Sequence, residues 1–152
     1  MAIPRKQTGW GLDTNLLWGI WNAIDRLIKV TSKSGAGKST LPFRLISTAS
    51  TNATVVKASS GIITTITAVS LSEETVSYLK LYDKATSPIV GTDIPIMTIP
   101  IPTNLQGAGI VIPIPNGLFF LNGISLSITS GVIDSDTGSI LANNVVLNFT
   151  YL

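Results

Sequence analysis

The spacing of apolar and polar residues changes near residue 40 of this chain. Between Leu16 and Ile28, apolar residues recur at intervals of three and four, which is the period of one helix face. From Leu41 onward, short runs of Ile, Val and Thr show a period of two, and Gly, Pro, Asn and Asp separate the runs. The pattern predicts one helix followed by a β-rich body.

The first forty residues are predicted to form an arm, an amphipathic helix and a linker. Residues 1–12 contain one proline and two glycines, which favours an extended arm. Asp13-Thr14-Asn15 supplies N-cap side chains, and we predict a helix over about Thr14–Lys29. Gly19 weakens that helix by about 1 kcal/mol. Residues 31–40 are rich in Ser and Gly and form a linker, so the domain organisation is 1–40 and 41–152.

The body is predicted to be mainly β, an antiparallel β-sandwich of jelly-roll-like type, because short strands follow one another with regular turn signals. A turn is expected at Pro115-Asn116-Gly117. Prolines mark sheet edges, because proline cannot donate to a ladder. Phe119, Phe120 and Phe149 are expected in the core. The predicted strands are Phe43–Ser47, Thr54–Ala58, Gly61–Ser70, Ser77–Tyr82, Ile96–Ile101, Gly109–Ile114, Ile124–Thr129 and Val145–Tyr151.

The composition is sparse in charge and lacks two reactive residue types. Charged residues make up 12% of the 152 residues and apolar residues 45%, against a usual charged share of about 25%. The chain has no His and no Cys, which removes the commonest general base and the thiol nucleophile. We predict that it is not an enzyme and binds no cofactor. Its apolar stretches are far shorter than the ~20 residues of a membrane span, so we expect partner subunits to cover the apolar surface.

The charges are unevenly distributed along the chain. Through Lys57 there are eight basic residues against two acidic ones, and from Ala58 onward two basic against six acidic. A basic N-terminal part on a mildly acidic body suggests docking to an acidic protein surface or to another copy. The basic residues do not alternate with aromatic side chains in the manner of a base-stacking platform. We therefore expect no nucleic-acid partner.

The segment Ser34-Gly35-Ala36-Gly37-Lys38-Ser39-Thr40 resembles the second half of a phosphate-binding loop. The first glycine of that motif would be residue 32, which is Ser32. A phosphate loop also passes into a helix, whereas Leu41-Pro42-Phe43 begins an extended run. We interpret the segment as a flexible basic linker.

Two acidic motifs are candidate sites. Asp134-Ser135-Asp136-Thr137-Gly138 resembles the opening of a calcium loop, but position twelve of such a loop would be Val145. An Asx turn closed by glycine is the favoured interpretation, with Ca²⁺ binding by Asp134 and Asp136 left as an alternative. Glu73-Glu74 is interpreted as a solvated turn, because adjacent side chains point apart and no second acid is placed opposite.

The body contains four sequence segments that resemble those of small virion structural proteins of tailed bacteriophages. They are YLKLYDKATSPIVGTDIP at Tyr78–Pro95, GLFFLNGISLSITSG at Gly117–Gly131, DSDTG at Asp134–Gly138 and NVVLNFTY at Asn144–Tyr151. Proteins of this class include β-sandwich decoration, or cement, proteins on the phage head. The resemblance implies a location in the virion, assembled in the bacterial host cytoplasm. Residues 1–40 lie outside it.

The function expected from pattern and resemblance together is a capsid decoration protein that stabilises the head. The expected partners are the major capsid protein and further copies of this chain, as a homotrimer. The helix packs either on its own body or on a neighbour. A tail, neck or baseplate component and a receptor- or carbohydrate-binding sandwich are the alternatives. The residues predicted to contact a partner are Arg5, Lys6, Leu17, Trp18, Ile20, Trp21, Ile24, Lys33 and Lys38.

Overall fold

The structure, a computed structural model, describes residues 19–26, 39–104 and 108–152. The chain divides into two units, Met1–Lys38 and Ser39–Leu152. The first contains helix α1, residues 19–26, which lies inside the predicted helix; the other residues of that prediction are outside the described part. In the described ranges no helix has the length and apolar character needed to cross a bilayer. The strands of the second unit are β1 (Leu41–Ile46), β2 (Thr54–Lys57), β3 (Gly61–Ser70), β4 (Ser77–Asp83), β5 (Met97–Ile101), β6 (Gly109–Phe120), β7 (Ile124–Thr129) and β8 (Val145–Tyr151).

The strands form two antiparallel sheets of four. The order is β1-β8-β3-β6 in the first sheet and β2-β7-β4-β5 in the second. Consecutive strands change sheet at every connection except the β4–β5 hairpin, which is a jelly-roll arrangement. The predicted mainly β sandwich with a preceding helix is therefore confirmed.

The core lies between the two sheets and is aliphatic for the most part. Ile66 and Leu147 of the first sheet and Leu81 and Leu126 of the second belong to one buried cluster. Phe43 and Phe149, on the core side of the first sheet, stack on each other with ring centroids 4.6 Å apart. Alternate residues of each strand supply this cluster, as the period of two in the sequence predicts.

The predicted core position of Phe119 is wrong. Phe120 and Phe149 are buried as expected, but the Phe119 side chain is 60% exposed. Neighbouring residues of a strand point to opposite faces, so Phe120 enters the core and Phe119 points outward. An uninterrupted apolar run does not show which of its members faces inward.

The predicted turn at Pro115-Asn116-Gly117 is also wrong. Strand β6 continues to Phe120, and its pairing with β3 jumps from Thr65↔Pro113 to Ile63↔Leu118. The intervening residues form a bulge that leaves the strand direction intact. Gly117 has a φ of 72°, and a Cβ there would collide with the Ile62 side chain. Glycine at this position therefore permits a bulge instead of a chain reversal.

All four edge strands carry features that discourage pairing with another chain. Pro42 lies in β1, Pro100 in β5, and Pro113 and Pro115 in β6. Strand β2 has four residues and a register shift between Val55 and Lys57. These placements confirm that the strand prolines mark edges, and they make lateral extension of either sheet unfavourable.

Candidate interaction surfaces

The outer face of the first sheet, on the side away from the core, is nearly free of charge. Its side chains stand in cross-strand rows fixed by the pairing of β1, β8, β3 and β6. Arg44 is the one charged residue in these rows. The first row is Pro42, Thr150, Thr65 and Pro113; the second is Arg44, Asn148, Thr67 and Val111; the third is Ile46, Val146, Val69 and Gly109.

One end of this outer face is apolar. Ile46, Val146 and Val69 are paired across β1, β8 and β3, and Val111 follows on β6 with 73% of its side chain exposed. A sheet with one face on the core usually presents polar residues on the other. An apolar row in that position is typical of a surface that a partner covers.

The middle of the same face holds a shallow groove of about 270 Å³. Thr65 and Thr67 of β3 and Asn148 and Thr150 of β8 form its floor, and Arg44 stands at its β1 side. We call this the central groove. It is smaller than the about 300–1,000 Å³ of typical small-molecule sites, so its size suits one large side chain of a partner.

The outer face of the second sheet is buried along β7 and the adjoining part of β4. Ser125, Ser127 and Thr129 of β7, on the side away from the core, are fully buried together with Lys80 of β4. Tyr82 is buried beside them, and its hydroxyl lies 3.1 Å from the Ser127 hydroxyl. Desolvation raises the pKa of Tyr82, although the Ser127 hydrogen bond opposes that effect. The part of this face formed by β7 and by Lys80 and Tyr82 of β4 is therefore closed to a partner, whereas Pro100 on the edge strand β5 is exposed.

Lys80 fastens the covering loop 130–139. Its Nζ donates to the Ile133 carbonyl oxygen at 2.5 Å and to the Asp136 carbonyl oxygen at 3.5 Å. The side chain is fully buried, so these carbonyl groups replace part of its hydration. An ammonium group of the protein thus occupies the side of the loop that faces the sheet.

The Asx-turn interpretation of residues 134–138 is confirmed. Asp136 Oδ2 accepts hydrogen bonds from the amides of Gly138 at 3.2 Å and Gly131 at 2.9 Å. Asp134 is exposed on the loop surface. No group of three metal-binding side chains occurs among the residues that the structure describes. The Asp136 carboxylate closes the loop, and the arrangement does not support the calcium alternative.

Two further carboxylates hold loops at the C-terminal end of β4. Asp93 accepts from Lys84 Nζ at 2.5 Å and from the Ile89 amide at 2.7 Å, and the Lys84 hydrogen bond in particular lowers the pKa of Asp93. Asp83 accepts from the amides of Asn122 and Gly123 at 2.7 and 3.2 Å. Desolvation raises the pKa of Asp83, but the hydrogen bonds together outweigh this effect, so the pKa is lowered.

Three of the predicted partner-binding residues lie in the described helix. Ile20, Trp21 and Ile24 have exposed fractions of 47%, 36% and 45%. Positions i and i+4 share one side of a helix, with i+1 next to them. Ile20, Trp21 and Ile24 therefore form one apolar stripe along the helix. The other predicted contacts, Arg5, Lys6, Leu17, Trp18, Lys33 and Lys38, lie outside the described residues.

The phosphate-loop look-alike and the Glu73-Glu74 pair keep the interpretations that the sequence favours, a linker and a solvated turn. Most of the phosphate-loop look-alike lies outside the described residues, but Ser39 and Thr40 are irregular and Leu41 begins β1. The segment thus leads into a strand, whereas a phosphate loop leads into a helix. Glu73 and Glu74 are both exposed in a bend after β3, as predicted.

Sequence reasoning missed the apolar row and the buried Lys80. The signal for the row was present, because Val69 and Val146 break the apolar–polar alternation of β3 and β8. No comparable signal existed for Lys80, which depends on a loop far away in sequence. Comparison with known proteins adds nothing to these assignments: no family model, no curated protein and no solved structure matches the chain.

Proposed function

We propose that this protein is a non-enzymatic structural component of a bacteriophage virion, a decoration protein that binds the capsid lattice and stabilises the head. The observation that carries the proposal is the outer face of the first sheet, with its apolar row and its single charge at Arg44. Such a face loses little solvation when it is buried, and each Å² of apolar area removed from water contributes about 25 cal/mol.

Three further features support the proposal. The jelly roll is a recurrent fold of viral capsid and lectin domains. The separate sequence segments between Tyr78 and Tyr151 resemble those of phage virion proteins. The exposed stripe of α1 supplies a second apolar contact surface, so that each copy can touch more than one neighbour. Several weak contacts per oligomer add up through effective concentration.

The proposal is tested by measuring the copy number of the chain on phage particles. Particles from a host culture that carries the gene are purified, and the chain is quantified by mass spectrometry against the major shell protein. Hundreds of copies support a decoration protein. A handful to dozens overturns decoration in favour of a tail, neck or baseplate component, and absence from the particles overturns the virion role.

The helix is tested on particles stripped of the chain. We expect Trp18→Ala with Trp21→Ala to leave the sandwich folded, as judged by circular dichroism, and to lower the occupancy that added protein reaches. The matched control is Ile94→Ala, which removes an exposed apolar side chain from a loop of the body. Equal occupancy for both variants would remove the helix from the binding mechanism.

A further inference from the structure

The chain contains two Asn-Gly dipeptides, Asn116-Gly117 in the bulge of β6 and Asn122-Gly123 in the connection between β6 and β7. Asn-Gly is the dipeptide most prone to deamidation, because glycine has no side chain to hinder attack by its own amide nitrogen. We propose that Asn116 is a site of spontaneous deamidation in the folded protein and that Asp83 protects Asn122 from the same reaction. The inference concerns the sandwich unit alone and is independent of the proposed function.

The reaction at Asn116 needs only the chain and water. The Gly117 amide nitrogen attacks the side-chain Cγ, loses its proton and forms a C–N bond, while the side-chain nitrogen takes up a proton and leaves as ammonia. The imide ring that results then adds one water molecule. Opening of the ring at either carbonyl gives an aspartyl or an isoaspartyl residue at position 116. Each event adds one negative charge, because a carboxyl group is ionised at neutral pH.

The bulge leaves Asn116 open to this reaction. Its side chain is exposed, and no residue that the structure describes forms a hydrogen bond with that side chain. The pairing of β6 with β3 stops at Pro113 and resumes at Leu118. The extra residues of a bulge are unpaired, so a regular ladder does not hold the peptide between Asn116 and Gly117.

Both glycines are required by the packing around them. A Cβ on Gly117 would collide with the Ile62 side chain. A Cβ on Gly123 would lie 2.7 Å from Ala85 Cα and 2.8 Å from the Lys57 carbonyl oxygen. The fold thus keeps an unhindered amide nitrogen at both dipeptides, and a difference in their reactivity has to come from other contacts.

Asp83 holds the second dipeptide by three hydrogen bonds. Its Oδ1 accepts from the Asn122 amide at 2.7 Å and from the Gly123 amide at 3.2 Å. Its Oδ2 accepts from Asn122 Nδ2 at 3.3 Å. The Gly123 carbonyl oxygen accepts in turn from the Lys84 amide at 3.0 Å. Both the attacking nitrogen and the leaving nitrogen are therefore engaged, and these bonds have to break before the two groups can meet.

The charge of Asp83 opposes the same reaction. Attack requires the Gly123 nitrogen to give up its proton, and a carboxylate beside it disfavours the negative charge that develops on the reacting groups. Desolvation raises the pKa of Asp83, but its hydrogen bonds outweigh that effect and lower the pKa, which makes the carboxylate a poor base for this proton. Asp83 therefore slows deamidation at Asn122 and does not catalyse it.

Peptide mapping by mass spectrometry measures both sites in the full chain. The protein is kept at mildly alkaline pH, sampled over days and digested, and the replacement of the amide by a carboxyl group is followed at each dipeptide. We expect Asn116 to react about tenfold faster than Asn122, or more, because hydrogen bonds to a charged group have to break at Asn122. In the chain unfolded by guanidinium the two rates should be similar. Equal rates in the folded protein, a faster Asn122, or no reaction at Asn116 overturns the inference.

Variants of two carboxylates test the protection. Asp83→Ala removes all three hydrogen bonds, and we expect it to accelerate deamidation at Asn122 about tenfold. The matched control is Asp93→Ala, which removes a carboxylate that holds Lys84 and the Ile89 amide instead. It should leave the rate at Asn122 unchanged. Urea midpoints verify that both variants are folded at the conditions of the rate measurement.

Asp83→Asn keeps a side-chain oxygen that can accept but removes the charge, so its rate at Asn122 should lie between those of the parent and Asp83→Ala. It also decides the inference if Asp83→Ala does not fold, because a rate equal to that of the parent would then contradict protection by the Asp83 charge. Equal acceleration by Asp83→Ala and Asp93→Ala would show general loosening of this end of the sandwich and overturn the inference. A slower reaction in Asp83→Ala would make Asp83 a base for the reaction and overturn it as well.

Discussion

The Lys80 ammonium group donates to the backbone carbonyl oxygen of Ile133, at 2.5 Å, across the outer face of the second sheet. The two residues are 53 positions apart in sequence, and the contact fixes loop 130–139 on β4. Because the Lys80 side chain is fully buried, its donor hydrogens can be satisfied only by the groups that cover it. The loop and the lysine therefore depend on each other.

We expect Lys80→Met to loosen loop 130–139 while the sandwich stays folded. Methionine fills a similar volume but cannot donate, so the Ile133 carbonyl loses its partner at a cost of about 1–3 kcal/mol. Hydrogen exchange should increase at the amides of the loop and remain unchanged in β3 and β8. Lys57→Met, a change on the partly exposed edge strand β2, serves as the control. Unchanged exchange in the loop would show that Lys80 does not hold it.

The two aspartates of the same loop should behave differently when they are replaced. Asp136→Ala removes the acceptor of the Gly131 and Gly138 amides, and we expect a loss of about 2–3 kcal/mol in the free energy of unfolding. Asp134→Ala removes an exposed carboxylate and should change that free energy by no more than about 0.5 kcal/mol. Urea denaturation of both variants measures the contrast. Similar losses for the two would contradict the Asx turn as the loop's main constraint.

The strands were predictable because, along most of the body, apolar residues alternate with a period of two and turn residues separate these alternating runs. The sequence ISLSIT of β7 shows where this reasoning fails. Its alternation predicts one solvated face, yet all six residues are buried. Loop 130–139 lies on this side of the sheet, and the hydrogen bond that fastens it to Lys80 joins residues far apart in sequence. Periodicity within a strand carries no information about what covers the opposite side.

The candidate surfaces were predictable in part. The apolar stripe of α1 was found because helical spacing places Ile20 and Ile24 on one side. The apolar row was not found, because Ile46, Val69 and Val146 meet only through the register of three strands that are distant in sequence. Sheet order is a tertiary property. A propensity argument gives strands, but it does not give the neighbours of each strand.

Two asparagines adopt left-handed backbone conformations, and we expect them to differ in importance. Asn52 has a φ of 53° and is buried, with its side chain bonded to Thr48 and Ser50. Asn143 has a φ of 59° but is exposed. Glycine tolerates both conformations, so Asn→Gly isolates the loss of the side chain.

Asn52→Gly should therefore lower the free energy of unfolding by about 1–3 kcal/mol, because the buried hydrogen bonds around Thr48 are lost. Asn143→Gly should change it by no more than about 0.5 kcal/mol. Thermal or urea unfolding monitored by circular dichroism gives both values. A larger loss for Asn143→Gly than for Asn52→Gly would contradict the role assigned to the Asn52 side chain.

Stability should decrease on acidification below about pH 4 as Asp83 and Asp93 take up protons. Both carboxyl groups have a pKa lowered from the ordinary 3.8. A lowered pKa in the folded state contributes stability that is present above the ordinary pKa and is lost as pH falls through the folded value. Urea midpoints measured between pH 6 and pH 2 should therefore decrease most steeply below pH 4.

Salt distinguishes the two groups, because their pKa values are lowered by different contacts. At Asp93 the pKa is lowered chiefly by the hydrogen bond from Lys84 and to a smaller extent by the charge of Lys84, whereas at Asp83 it is lowered by hydrogen bonds from Asn122 and Gly123 without a charged partner. The Lys84–Asp93 pair is partly exposed, so at about 1 M salt, where the Debye length is near 3 Å, its share weakens. We expect Asp93→Asn to reduce the acid-induced fall of the urea midpoint more at low salt than at high salt. Asp83→Asn should reduce that fall equally at both salt concentrations. The reverse salt dependence would show that charge, and not hydrogen bonding, lowers the pKa of Asp83.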